Sequence, residues 1–171
     1  MRFARRSFVV VLVLGGVFVV GMRRKWPPVL DAVRRASRAF KPVVLKKAGS
    51  KGASASVVRH VGRTSGRQYE TPVVAMATPD GFAIALPYGA NTDWLKNVLA
   101  GGHAQLVTEG SEYTVEHPEV VPIADVDAFF APKERRLHRQ FAVESALVVR
   151  RRVAEGSDAS GVAASTGAKT G

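Results

Sequence analysis

The sequence predicts a mainly β, α+β domain of about six antiparallel strands with short helices between them. Two observations support this prediction. Short β-branched runs recur from Val57 onwards, and turn residues such as glycine, proline and aspartate bound them. The connections between most runs are short, which favours hairpins in an antiparallel sheet or small barrel and leaves no room for a doubly wound parallel sheet.

Each strand is predicted from its own β-branched run. In chain order the predicted strands are Val57–Val61, Thr71–Ala77, Phe82–Leu86, Ala104–Thr108, Tyr113–Val121 and Ser145–Arg151. Gly62–Arg67 and Pro79–Gly81 are predicted tight turns. Pro118 interrupts the fifth strand, because proline lacks the N–H group that a strand ladder needs.

Short helices fill the longer gaps. Asp93 is a good N-cap for a helix over Trp94–Ala100, which the following pair of glycines ends. Pro87–Thr92 is the loop that leads into this helix. Asp125–Phe130 and Pro132–Phe141 are predicted to be helical.

The charge of the chain is concentrated at its N-terminus. The 171 residues contain 25 Lys and Arg against 14 Asp and Glu, a net charge of +11. Residues 1–60 contain 14 basic residues and one acid, whereas residues 61–171 contain 11 basic residues and 13 acids. The predicted domain is therefore nearly neutral, which argues against a nucleic-acid-binding domain, since such domains present their cations on the folded unit.

The first 25 residues have the pattern of a membrane anchor or signal-anchor. Residues 8–22 form an uncharged apolar run between clusters of arginine and lysine, and Trp26 follows. The run is shorter than the roughly 20 residues of a full span, but snorkelling cations can extend it. A cleaved signal peptide and a mis-assigned start are the alternatives. We expect membrane association through residues 8–22, with the domain on the cytoplasmic side.

The remaining segments follow from composition. Residues 26–56 are expected to form a basic amphipathic helix and a flexible linker, with the helix either on anionic lipid or packed against the domain. Residues 57–152 form the predicted domain. Residues 153–171 are rich in Ala, Ser, Gly and Thr, and we expect them to be disordered.

No side chain has the pattern of a catalytic group or metal ligand. The chain has no cysteine, its four histidines lack metal-binding spacing, and no GxSxG motif is present. Catalytic residues therefore stay unassigned, no metal site is expected, and any enzymatic reactivity would come from a bound cofactor.

Two stretches are candidates for cofactor binding. In Gly62–Arg67, two glycines allow close approach, while hydroxyl groups, N–H groups and two arginines suit phosphate oxygens. An ordinary hairpin with solvated arginines is the alternative. The loop after the third strand leads to a helix N-terminus, where Tyr88 and Trp94 could flank a planar ring or simply pack in the core. Asn97 shares a helix face with Trp94.

The motifs in Val57–Leu106 carry a family resemblance. GRTSG at Gly62–Gly66, the pair Thr71-Pro72 and a W-x-x-N helix at Trp94–Asn97 occur in order. The chain thereby resembles the deazaflavin-dependent nitroreductases of actinobacteria, which are split β-barrel proteins. The resemblance extends over about Val57–Arg151 and implies a split β-barrel, FMN-binding-like fold.

The resemblance also implies a cofactor site. Ten residues match the family's cofactor positions: Arg63, Thr64, Ser65, Gly66 and Arg67 for the phosphate and acidic tail; Pro87, Tyr88 and Gly89 for the ring; and Trp94 and Asn97 for the closing helix. The implied cofactor is reduced F420, with FMN or FAD as alternatives that share a planar ring and anionic tail.

The implied activity is hydride transfer to a quinone, a nitro compound or another electron-poor acceptor at the membrane. The alternative is a flavin- or lipid-binding split barrel without catalysis. Related split barrels often form dimers, so a homodimer is also expected. No nucleic-acid partner is expected.

Overall fold

A computed structural model describes residues 18–33, 35 and 45–152. Most of the predicted anchor, most of the predicted amphipathic helix and the predicted tail therefore lie outside the described residues. Residues 18–23 and 27–33 are helical. Within the described ranges, no helix is both long and apolar enough to cross a membrane.

The described domain contains one seven-stranded sheet in which every pairing is antiparallel. The strands are β1 (Ser56–Val61), β2 (Gln68–Val73), β3 (Ala75–Ala77), β4 (Gly81–Ala85), β5 (His103–Thr108), β6 (Ser111–Pro122) and β7 (Ser145–Arg151). Their order across the sheet is β2-β1-β5-β6-β7-β4-β3. The predicted antiparallel α+β class is confirmed, and the sheet curls into a half-barrel consistent with a split barrel.

The curl follows from the way β2 and β3 are connected. These strands occupy opposite edges of the sheet, yet only Val74 separates them in the sequence. Because adjacent residues must stay adjacent in space, the two edges come together and the sheet bends round. The single predicted strand Thr71–Ala77 is therefore wrong, since its two halves pair with different neighbours. Pro72 is tolerated because β2 is an edge strand.

β6 contains the irregularity that Pro118 predicts. Residues 111–116 pair with β5, residues 115–122 pair with β7, and the register with β7 shifts between Glu116 and Glu119. His117 adopts a φ of +52° within this bulge. The bulge bends β6, which allows this long strand to pair with both β5 and β7 in a curled sheet.

Three α-helices connect the strands: α1 (Asp93–Gly101), α2 (Ile123–Val126) and α3 (Pro132–Gln140). The predicted helix over Asp125–Phe130 is wrong in its bounds, because α2 starts earlier and a 3-10 turn over Asp127–Phe129 follows it. Asp93 is not the N-cap of α1 as predicted. Thr92 is the N-cap, and Asp93 lies in the first helical turn.

The main hydrophobic core lies between α1 and the concave side of the sheet. Leu95 and Val98 of α1 pack with Phe82, Leu106 and other strand residues that are almost completely buried. Burial of each such side chain contributes about 1.5–3 kcal/mol before entropy is counted. This packing fixes α1 over one end of the half-barrel, where the turn after β1 also lies.

Candidate functional site

The turn Gly62–Arg67 is closed by its own backbone. The Gly62 N–H donates to the Arg67 carbonyl and the Gly66 N–H donates to the Gly62 carbonyl, both at 2.8 Å. Gly66 has a φ of +64°, which favours glycine. A Cβ at Gly62 would lie 2.5 Å from Ser65 Oγ and 2.7 Å from the Tyr69 ring. The turn thus favours glycine at both positions, at Gly62 because of close contacts and at Gly66 because of its φ.

Arg63 fastens this turn to α1. Its backbone N–H and its Nη1 donate to Asn97 Oδ1 at 3.2 and 2.8 Å. Its guanidinium also contacts Asp93, through the carbonyl at 3.3 Å and through Oδ1 at 3.2 Å. Arg63 was expected to hold phosphate; in this structure its hydrogen bonds go to α1, so an anion would compete with Asp93 for it.

Asn97 continues the network into the core. It is 8% exposed, and its Nδ2 lies 3.3 Å from His60 Nδ1. Because Asn97 Oδ1 accepts from Arg63, its amide nitrogen is the donor to His60, so His60 Nε2 carries the proton and donates to Thr71 Oγ1 at 3.2 Å. The His60 ring also stacks on Tyr69 at 5.8 Å.

For His60, the sequence establishes only that it lacks metal-binding spacing. The structure places it, 6% exposed, in the polar network under the turn. Its position in β1 does not by itself predict the hydrogen bond to Asn97. The only available signal is that it shares the inward face of β1 with Val58.

Two predicted residues form an exposed edge of the turn, Thr64 and Arg67. Among the described residues, no acid pairs with the Arg67 guanidinium. Ser65 Oγ is engaged with Tyr69 Oη at 3.1 Å. The N–H groups of Thr64 and Ser65 donate to no described residue. This edge therefore offers a cation, a hydroxyl and two N–H groups to an anion.

Arg59 is an arginine of the same sheet whose guanidinium is paired with two acids. Arg59 on β1 donates to Glu70 at 3.0 Å and to Glu112 at 2.9 Å. The hydrogen bond to Glu70 is the main reason why the pKa of Arg59 is raised above its usual value. Arg59 is thereby paired with acids of β2 and β6, whereas Arg67 pairs with no acid among the described residues.

The second predicted stretch leads into the same helix. Pro87, Tyr88 and Gly89 are half-buried, and Gly89 turns the chain with a φ of +76° and an N–H bond to the Leu86 carbonyl at 2.9 Å. Trp94 is half-buried and packs against the main core. No described hydrogen bond joins Tyr88 to the Gly62–Arg67 turn.

Thr92 is a further residue that sequence reasoning missed. Its Oγ1 is buried and has no hydrogen-bond partner among the described residues. It lies at the N-terminus of α1, next to the Asp93 that binds Arg63. An orphaned buried hydroxyl is costly, so a ligand that bonds to it would gain affinity there.

A separate cleft lies at another part of the sheet. Its volume is about 350 Å³, between the β3–β4 hairpin, the β6 bulge and β7. None of the ten predicted site residues lines it; its lining includes Thr78, Asp80, His117, Phe129 and Arg150.

The fold and site together describe a small antiparallel half-barrel with a polar turn fastened to one helix. No family model and no curated protein matches this chain. Among solved structures it is similar to an "F420 Reductase", with a TM-score of 0.42 and 11% identity over 58% of this chain and 86% of that chain.

Two more solved structures are similar in backbone. One, described as a domain-swapped dimer, has a TM-score of 0.45 and 11% identity, over 68% of this chain and 98% of that one. The other is the protein Atu2129, of unknown function, from Agrobacterium tumefaciens str. C58, with a TM-score of 0.41 and 15% identity over 66% and 54% of the chains. These likenesses concern the course of the backbone alone.

Proposed function

We propose that this protein is an oxidoreductase that binds reduced F420, or FMN or FAD in its place, and transfers a hydride to an electron-poor acceptor. The observation that supports it most is the exposed edge at Thr64 and Arg67, supported by the Arg63–Asn97–His60 network. This network would hold the edge rigid, and rigid anion sites lose less entropy on binding.

The residues fit an anionic cofactor in three respects. Arg67 supplies a cation that pairs with no acid in the described part of the chain, and Thr64 supplies a hydroxyl group for phosphate oxygens. Thr92 Oγ1 supplies a buried polar atom without a partner in the described part of the chain. Tyr88 and Pro87 supply half-buried apolar surface beside the same helix N-terminus, suited to a planar ring.

The chain's own contribution would be binding and orientation. A reduced deazaflavin supplies the hydride when bound. Arg67 and Thr64 would hold its anionic tail, and the α1 N-terminus would favour negative charge nearby. The loop at Pro87–Gly89 would limit access of water to the ring face.

We further propose a quinone or nitro compound as the acceptor, with the protein at the membrane. Support comes from the apolar run at residues 8–22 and the cations around it. Attachment beside a bilayer would raise the local concentration of a lipid-soluble acceptor.

A homodimer is also proposed. Val61, Tyr69 and Val74 are exposed apolar side chains on or next to the β1–β2 edge, with 51%, 38% and 38% exposure. A second copy could cover this edge. Multi-angle light scattering of the purified chain should give twice the chain mass, and a monomeric mass at all concentrations would rule the dimer out.

The cofactor proposal is tested by titrating the purified full chain with F420, FMN and FAD. Arg67→Ala should weaken F420 binding by about ten- to hundredfold, because a charge-assisted hydrogen bond contributes about 1.5–3 kcal/mol. Arg150→Ala is the matched control, since it removes an exposed arginine from the separate cleft. If Arg150→Ala weakens binding and Arg67→Ala does not, the cofactor lies in the cleft and the proposed site is wrong.

Catalysis is tested separately with menadione. The full chain should oxidise reduced F420 faster when menadione is present, as followed by the absorbance of the oxidised deazaflavin. Tight binding without acceptor-dependent oxidation would instead identify a cofactor-binding protein without this activity.

A further inference from the structure

The outer face of α3 is basic, and within residues 18–33, 35 and 45–152 nothing covers it. Lys133, Arg136 and Leu137 follow at positions i, i+3 and i+4, so they share one side of the helix, and all three are exposed. Leu137 is 48% exposed. The opposite side is anchored by His138, which lies 3.1 Å from Asp127 Oδ1 and packs edge-on against Phe130.

The cations on this face are not neutralised. Among the described residues, Lys133 and Arg136 form no ion pair with an acid. The one acid of α3, Glu134, is used at the helix start, where its Oε2 accepts from the Ala131 N–H at 3.0 Å. The face therefore presents positive charge around an exposed leucine.

The N-terminal segment is fixed at the end of this same helix. The Phe18 ring packs edge-on against Phe141 at 6.1 Å. Arg23 Nη1 donates to the Arg139 and Gln140 carbonyls at 3.0 and 3.3 Å, which satisfies the last carbonyls of α3. Lys25 also pairs with Glu144.

These contacts determine where the apolar run meets the domain. Residues 8–17 are apolar and directly precede Phe18, so the run enters the described structure at the C-terminal end of α3. Phe18 and Val20 are 41% and 52% exposed at this point. A bilayer that holds the preceding residues would lie within reach of the α3 face.

We propose that this α3 face, defined by Lys133, Arg136 and Leu137 with Phe18 at its end, docks on an anionic lipid bilayer. Cations around apolar side chains are the pattern of helices that lie in an anionic membrane interface. A nucleic-acid site would not gain from the exposed leucine and phenylalanine. Docking here would orient the half-barrel on the membrane in addition to any anchor. The proposal does not depend on the identity of the cofactor.

The test compares distribution of the full chain between anionic and zwitterionic vesicles, made of phosphatidylglycerol with phosphatidylcholine and of phosphatidylcholine alone. An apolar anchor enters both, and the cations of residues 1–60 favour anionic vesicles in wild type and variants alike. The α3 face is therefore reported by the change in this preference between the wild type and the α3 variants. Replacement of Lys133, Arg136 and Leu137 by glutamine should reduce that preference by about 25-fold, since each cation near an anionic surface contributes about fivefold. Glutamine keeps good helix propensity.

A matched control carries Lys51→Gln, Lys96→Gln and Leu99→Gln, which removes the same number of cations and one exposed leucine elsewhere. The control should keep the wild-type preference, and added salt should abolish the preference of the wild type. If the triple α3 variant is unstable, the double variant Lys133→Gln, Arg136→Gln serves instead. An unchanged preference in the α3 variants, or an equal loss in the control, would overturn the proposal.

Discussion

Asn97 is the residue on which the geometry of the turn depends most, so its removal is the sharpest test. Its side chain receives two hydrogen bonds from Arg63 and lies within hydrogen-bond distance of His60. Asn97→Ala removes all three contacts at a position that is only 8% exposed. It also leaves the Arg63 N–H and His60 Nδ1 without these partners.

The size of the effect follows from these contacts. Each neutral hydrogen bond contributes about 1 kcal/mol, and the bond from the guanidinium contributes about the same, because the Arg63 side chain is 37% exposed and partly screened. We therefore expect Asn97→Ala to lower the free energy of unfolding by about 3 kcal/mol. Asn97→Asp keeps the acceptors for Arg63 but places a carboxylate oxygen opposite the His60 Nδ1 acceptor at a buried position, so it should cost about 1–3 kcal/mol.

Urea denaturation of the full chain, followed by far-UV circular dichroism, measures these differences. Hydrogen exchange should show faster exchange of the Arg63 amide in Asn97→Ala. Asn91→Ala, in the exposed loop before α1, is the control and should stay within about 0.5 kcal/mol of wild type. If Asn97→Ala is as stable as the control, the network does not hold the turn and the reasoning is wrong.

Two further predictions concern single positions. Gly81→Ala should destabilise the protein by about 3 kcal/mol, because its Cβ would lie 2.0 Å from the Val149 carbonyl oxygen. Gly66→Ala should cost only about 1–2 kcal/mol, because its Cβ would meet open space and only its φ of +64° is unfavourable. Equal urea midpoints for the two variants would contradict this ranking. Thr92→Val removes an orphaned buried hydroxyl, so it should raise the free energy of unfolding by about 1 kcal/mol and weaken F420 binding in the same titration. A variant that binds F420 as tightly as wild type would show that Thr92 does not contact the cofactor.

Much of the secondary structure could be predicted because its signals are local. The last strand, Ser145–Arg151, has the predicted bounds, and the predicted helix near Trp94 exists as α1. β-Branched residues and turn residues restrict the backbone conformation in their own neighbourhood, so the sequence indicates directly where strands and turns form. Thr71–Ala77 could not be read this way, because a bend at Val74 gives each half a different partner strand.

The candidate site was predicted as a set of residues but not as a network. The sequence indicates the turn through its glycines and arginines, and the geometry of the turn favours glycine at both positions. It does not show that Arg63 binds Asn97, 34 residues away, while Arg67 stays exposed. Arg63 and Arg67 lie in one turn and look equivalent in the sequence. The position of α1 distinguishes them, because Asn97 of α1 accepts hydrogen bonds from Arg63.

The antiparallel class, the turns and the concentration of positive charge before the domain could all be predicted from residue types and their spacing. These properties depend on residue type and short-range spacing, which the chain keeps in any environment. Three features become visible in the folded chain alone: β2 and β3 meet and curl the sheet, Arg63 and Asn97 join the turn to α1, and Arg23 caps α3 from 116 residues away. Such contacts form because burial in one core brings segments together that are distant in the sequence. A local sequence pattern does not indicate which distant residue a side chain contacts.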